Sequence, residues 1–273
     1  MFTISAAGPD SNPPVQLLKM ERRRFVGPEG SVKPLKTLIH DPSNLINTET
    51  LTRAVDGRFP EQMRPFSIRP AVISQAKGSC YLELGNTKLT CAIYGPRGTG
   101  KIGKTFLDQG NVYCEIDLLP FASDKRRPYQ REAEEQELSK QLQEALETVV
   151  RRETFPNAVV DVYINVIEDD GSVLAASINA ASVALSLAGI QLLDTLTACT
   201  TVFTSSVPLI DPTHFEQVSA PSQMTVAFMA NSGEIAQIAL VGPCEDVLMR
   251  EGLSLATDGC AAIYEQVKPI LLL

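Results

Sequence analysis

The sequence predicts an α+β fold, with mixed sheets packed on helices, and three observations carry that expectation. Residues 66–94 break into short β-rich runs punctuated by turn residues. Residues 131–153 carry one apolar stripe at helical spacing, while 175–188 form a second helix with almost no polar side chains. Strand and helix signals then alternate to the C-terminus, an order that suits sheets sandwiching helices.

Taken in order, residues 1–60 read as an extended N-terminal arm. Pro13-Pro14, Gly27-Pro28, Pro34 and Asp41-Pro42 interrupt it, Arg22-Arg23-Arg24 charge it, and no period of 2 or 3.6 is sustained. Leu35, Leu38, Ile39, Leu45 and Ile46 give it apolar points with which to lie along a partner. From Pro65 the runs Phe66–Ile73, Ser79–Leu84 and Thr87–Tyr94, with Gly78 and Gly85-Asn86 as turns, predict an antiparallel meander. Val112, Cys114, Ile116 and Leu118 alternate in a further strand over 111–119. Leu138, Leu142, Ala145, Leu146, Val149 and Val150 then line one face of a long helix, Arg131–Glu153.

Ala158–Ile167 is a β-branched strand. The helix Ala175–Ala188 has only Ser177, Asn179, Ser182 and Ser186 as polar side chains, so it must be covered on nearly every side; Gly189 ends it. Strands follow at Leu196–Thr204, Gln223–Ala230 and Glu234–Leu240, the last two joined by the turn Asn231-Ser232-Gly233. Pro243, Glu245 and Asp246 open a final helix, with Val247, Leu248, Leu253, Ala256, Ala261, Tyr264 and Val267 as its expected stripe.

Composition narrows the function classes. At 273 residues the chain buries a sizeable core without staples, and its 24 basic against 32 acidic residues leave a net charge of −8, so any contact with a polyanion must be local. The cysteines Cys80, Cys91, Cys114, Cys199, Cys244 and Cys260 form no CxxC pair and sit in apolar or alternating runs. They read as buried thiols of a reducing compartment, without metal or other cofactor. No run approaches the ~20 apolar residues of a bilayer span and no secretory signal is visible, so the expectation is an intracellular, soluble chain with no membrane partner.

Among motifs, Gly98-Thr99-Gly100-Lys101-Ile102-Gly103-Lys104-Thr105 satisfies the phosphate-cradling GxxxxGK[ST] pattern. That mechanism needs a helix starting at Lys104, yet residues 106–110 lead straight into an alternating strand, which makes a basic hairpin loop the better reading. Arg97, Lys101 and Lys104 are then exposed cations available to an RNA backbone, and a P-loop nucleotide-binding protein is the rival. The second cluster, Lys125-Arg126-Arg127, runs into Glu132, Glu134, Glu135 and Glu137, which reads as a solvated charged face. Glu168-Asp169-Asp170 before Gly171 reads as a turn rather than a metal site. His40 and His214 lack a nucleophile motif and read as non-catalytic.

With these elements placed, several linked motifs resemble the RNase PH family. They are Gly78–Lys88 with Tyr94-Gly95-Pro96-Arg97; Phe155-Pro156 and Val160-Asp161-Val162; Ile178–Leu185 with Ala188-Gly189-Ile190; and Ile210-Asp211-Pro212 with Met224–Phe228. The likeness spans roughly 56–268 and implies the RNase PH-like fold (ribosomal protein S5 domain 2-like), with a first half over 61–192 and a second over 193–273. Met20–Pro28 resembles the opening of one kind of eukaryotic exosome ring subunit, the mRNA transport regulator kind.

The resemblance also implies a chemistry to be checked residue by residue. Active members hold phosphate at a Gly-Ser/Thr-Arg-Thr turn; here the turn is Gly171-Ser172-Val173-Leu174, and either registration puts an apolar residue, Val173 or Leu174, where the arginine belongs. Their two aspartates, six residues apart after Asp-Pro, register onto Gln217 and Gln223, whose carboxamides carry no charge. The arginine pair that grips RNA falls near Ala133 and Glu134. The expectation is a non-catalytic subunit of an exosome ring supporting 3′-to-5′ RNA processing and degradation. Its implied partners are other RNase PH-like ring subunits in a heterodimer and a six-membered ring, RNA-binding cap subunits, hydrolytic exoribonucleases and RNA. Nucleus and nucleolus, with the cytoplasm, are the implied locations. Two further rivals are an active phosphate-dependent 3′-to-5′ exoribonuclease and a free-standing RNA-binding module.

Overall fold

The computed structural model describes residues 45–47, 52–53, 56–98, 109–123, 126–127, 130–204 and 207–272. A short ladder pairs β1 (Ile46–Asn47) with β2 (Thr52–Arg53). Leu45 and Arg53 beside it are fully buried, so this stretch of the 1–60 segment packs on the body that follows.

The first large sheet has the order β3-β4-β5-β7-β6, from β3 (Phe66–Pro70), β4 (Gly78–Leu84), β5 (Thr87–Gly98), β6 (Asn111–Leu118) and β7 (Ala158–Glu168). The antiparallel meander expected for the first three strands is there. The first strand stops at Pro70 rather than Ile73, because Ala71 turns the chain with a left-handed φ of 56°. β6 departs from the antiparallel pattern and runs parallel to β7. Parallel neighbours need a long return path, which α1 (Ala133–Val149) supplies.

That helix is shorter than its periodicity suggests, since Arg152–Thr154 form a separate 3₁₀ turn. Its acid-rich start corrects the expectation of a wholly solvated face. Glu135 is buried, and its carboxylate accepts hydrogen bonds from the backbone N–H of Leu118 (3.3 Å) and of Glu132 (3.3 Å). A buried acid is tolerable when such donors replace water.

α2 (Val173–Leu187) is buried along its length from Val173 to Leu185, as its apolar surface demands. It lies between the first sheet, at β4 and β5, and the second, at β8. Two of its four polar side chains act as joints. Asn179 donates to the Ala198 carbonyl (2.9 Å) and accepts from the Ala198 N–H (2.7 Å), while Ser182 Oγ accepts from the Leu196 N–H (3.0 Å). On the opposite side Gly78 lets β4 touch the helix, since a Cβ there would stand 2.2 Å from the Ala184 carbonyl oxygen.

The second sheet has the order β11-β10-β8-β9, from β8 (Leu196–Phe203), β9 (Pro208–Ile210), β10 (Ser222–Met229) and β11 (Glu234–Val241). α3 (His214–Ser219) precedes β10, and α4 (Asp246–Leu271) covers the sheet by packing on Phe203, Met224 and Val226. The stripe expected for this helix needs correcting. Ala256 and Val267 are buried and Leu248 and Leu253 pack on the core as expected, but Val247 is 67% exposed and Ala261 is exposed too, while Gly252, Gly259, Cys260 and Ile263, outside the expected stripe, are buried. The two glycines make the contact by having no side chain, for Phe203 fills the space beside Gly252 and Ile210 that beside Gly259.

Candidate functional site

A cavity of about 560 Å³ opens where the start of α1, the turn before α2, α3 and the ends of β10 and β11 meet. Its position follows from the topology, because two loops are pinned together beneath it. The Arg64 guanidinium donates to both oxygens of Asp211 (2.9 and 2.6 Å) and to the Asp170 carbonyl (2.8 Å). Arg64 therefore ties the 170–171 turn to the Asp-Pro turn before α3. Burial alone would raise the Asp211 carboxyl, but the hydrogen bonds and charge of Arg64 outweigh it and hold it below the usual carboxylate range.

A second buried pair braces α3 from the other side. Arg53 meets Glu216 at 3.2 Å with both side chains fully buried, and Arg53 also donates to the carbonyls of Pro60 (2.9 Å), Asp211 (3.2 Å) and Ile210. Desolvation lowers the Arg53 pKa, partly offset by Glu216. Glu216 in turn accepts from the Thr213 N–H (2.9 Å) and so closes a capping box at the start of α3.

The residues singled out from sequence come together here. Val173, Leu174, Gln217, Gln223 and Glu134 all line the one cavity. The turn amides that could face an anion are already occupied: the Gly171 N–H donates to Asp169 Oδ1 (3.0 Å) and the Ser172 N–H to Gln217 Oε1 (3.2 Å). Gly171 and Ser172 both hold left-handed backbone, with φ of 87° and 57°. The glycine is required in addition because a Cβ would stand 2.6 Å from the His214 nitrogen.

Charge in the cavity leans negative. Glu134, Glu137 and Asp169 line it, and its arginine, Arg127, is engaged by Glu132 and Glu134 at 3.3 Å each. His214 reaches the rim with Nδ1 4.0 Å from Asp169. It is the first residue of α3, and its nearest acidic partner is this aspartate. No group of three metal-ligating side chains converges anywhere among the described residues.

Of the candidate RNA contacts, Arg97 stands at the exposed end of β5, 64% exposed and ion-paired with the carboxylate of Asp161, which offsets part of its charge. Lys101 and Lys104 lie outside the described residues, as do His40 and Arg22–Arg24. The P-loop reading meets a direct obstacle, because Asn111 already begins a strand where a phosphate-binding helix from Lys104 would still be running. Sequence reasoning missed Asp169, Arg127 and Glu137 as cavity residues, and it missed Arg53, Arg64 and Glu216 altogether. Asp211-Pro212 was the one visible signal of that bracing.

Known proteins bear on this arrangement. The sequence model of the 3′ exoribonuclease family, domain 1 (RNase PH), matches residues 62–191. Over 262 residues the chain is 35% identical to the exosome complex component MTR3 of Homo sapiens, covering 89% of this chain and 92% of that one. The chain belongs to the RNase PH family. Within it, MTR3 of Mus musculus is 34% identical over 269 residues, 92% of this chain and 94% of that one. The exosome complex component Rrp41 of Methanopyrus kandleri is 32% identical over 230 residues, 84% and 95% of the two chains.

Solved structures agree on the RNase PH fold. Rrp46 of rice (Oryza sativa) superposes with a TM-score of 0.69 at 24% identity, covering 79% of this chain and 99% of that one. A chain of the Archaeoglobus fulgidus exosome, with RNA bound to the active site, gives 0.73 at 21% identity, covering 85% and 96%.

Proposed function

We propose that this chain is a non-catalytic ring subunit of an RNA exosome. The observation that carries the reading is the state of the turn at Gly171-Ser172. Its amides are taken by the Asp169 carboxylate and the Gln217 carboxamide, and apolar Val173 and Leu174 stand where a guanidinium would be needed. A phosphate entering here meets a carboxylate instead of a cation, and Gln217 and Gln223 supply neither metal-binding charge nor a useful proton. Losing one transition-state contact costs on the order of 2.7–4 kcal/mol, and groups acting as a unit fail together. The relatives named as exosome components support the assembly half of the proposal.

In this reading the chain sits beside other RNase PH-like subunits in a six-membered ring. It contacts RNA-binding cap subunits and works with hydrolytic exoribonucleases, in the nucleus and nucleolus as well as the cytoplasm. Arg97, Lys101 and Lys104 are the side chains proposed to touch passing RNA. Affinity capture of the tagged full-length chain with mass identification of its partners tests the assembly. Other RNase PH-like chains in stoichiometric amounts are expected, and their absence would overturn it.

A further inference from the structure

The free edge of β11 and the cavity beside it form one groove. Among the described residues β11 ends its sheet and is paired only with β10, so no described strand uses its outer backbone N–H and C=O groups. Ile238, Leu240 and Val241 along it are 42%, 41% and 54% exposed. A hollow of about 280 Å³ separates this edge from α1, whose Glu137, Lys140, Gln141 and Glu144 face it. Glu137, Gln141, Ala239 and Val241 also line the larger cavity, so the two spaces adjoin.

The lining specifies what can enter. Glu134, Glu137, Glu144 and Asp169 face the joined groove against Arg127 and Lys140. Arg127 is held by two glutamates, and Lys140 lies 3.9 Å from Glu144. In the cavity, Ser222 is only 4% exposed, and among the described residues neither its Oγ nor the buried Gln223 Oε1 has a hydrogen-bond partner. A buried carbonyl oxygen without a donor is costly, and a carboxylate-lined groove favours a cationic one. A second copy of this chain would set the same acids against each other, so like charge opposes self-pairing.

We propose that the groove receives an extended basic segment of another protein. The segment adds a strand to the edge of β11 and sends an arginine or lysine side chain into the cavity toward Gln223 and Asp169. This rests on the reading of the cavity as one that has lost its phosphate chemistry.

The test uses the full-length chain and a fluorescent peptide alternating valine and arginine, with a glutamate-for-arginine counterpart as the control. The basic peptide is expected to bind, to lose affinity with salt, and to protect the amides of 234–241 from hydrogen exchange. Reversing charge in the groove with Glu137→Lys and Glu144→Lys should weaken it by roughly tenfold or more. Glu251→Lys with Glu265→Lys, an equal charge change on exposed positions of α4, should leave it within about twofold. Equal binding of the acidic peptide, equal loss in the α4 variant, no protection of 234–241, or self-association through this edge in sedimentation would each overturn the proposal. Inorganic phosphate separates the two layers. Displacement of the peptide by phosphate would sink the underlying reading, whereas absence of both peptide and phosphate binding would sink only the proposal made here.

Discussion

Substituting methionine for Arg64 removes a guanidinium that makes three short hydrogen bonds, two to Asp211 and one to the Asp170 carbonyl, and leaves the buried Asp211 carboxylate without its ion-pair partner. Removing one partner of a buried pair costs about 3–5 kcal/mol, because the remaining charge keeps its desolvation penalty and loses its compensation. For a chain of this size each kcal/mol moves Tm by roughly 2–4 °C, so a fall of roughly 6–20 °C is expected. With no tryptophan in the sequence, thermal and urea unfolding followed by far-ultraviolet circular dichroism form the suitable assay. Asp211→Asn added to Arg64→Met should cost less than it does alone, since the stranded charge is then gone. The reasoning would be refuted by a loss below about 1 kcal/mol for Arg64→Met, or by strict additivity in the double variant.

Gly78→Ala should destabilise by about 1–3 kcal/mol in the same assay, because its Cβ would press on the Ala184 carbonyl and the backbone of α2; a neutral result would mean β4 has room to move. In native buffer Cys244 should be the one fast-reacting thiol toward a disulfide reagent, since Cys80, Cys91, Cys114, Cys199 and Cys260 are buried and burial pushes Cys260 up to about 12. More than one fast thiol would contradict the packing. The Asp211 carboxyl is held below its unfolded value, so its contribution to stability is complete above about pH 4 and drains away as pH falls below it. Unfolding midpoints from pH 7 to pH 3 should therefore fall less steeply in Asp211→Asn than in the parent, and parallel profiles would count against the pairing.

The legible part of the fold was the part encoded by period. Alternation placed β4, β6 and β10 within a residue or two, and the apolar surface of α2 announced its burial between sheets. Pairing is a different matter: nothing in residues 111–118 distinguishes a strand parallel to β7 from an antiparallel one. β9, with three residues, and α3, with six, are too short to show any period and were not read. The expected stripe of α4 left out Gly252 and Gly259, whose missing side chains make room for Phe203 and Ile210. Buried charges leave still less trace, since Arg53 and Glu216 are 163 positions apart and look like surface residues in isolation. Within the site, the motif positions at 173, 174, 217 and 223 were found by resemblance and do share one cavity. The acid that matters most beside them, Asp169, read only as part of a turn. Its capture of the Gly171 amide is a matter of backbone direction that composition does not reveal.

The most direct trial of the central claim is the release of nucleoside diphosphates from 3′-end-labelled RNA by the purified full-length chain in phosphate buffer. No release above a protein-free blank is expected, with the Asp169 carboxylate and the Gln217 amide occupying the turn. Phosphate-dependent release that tracks the chain through purification would contradict the account.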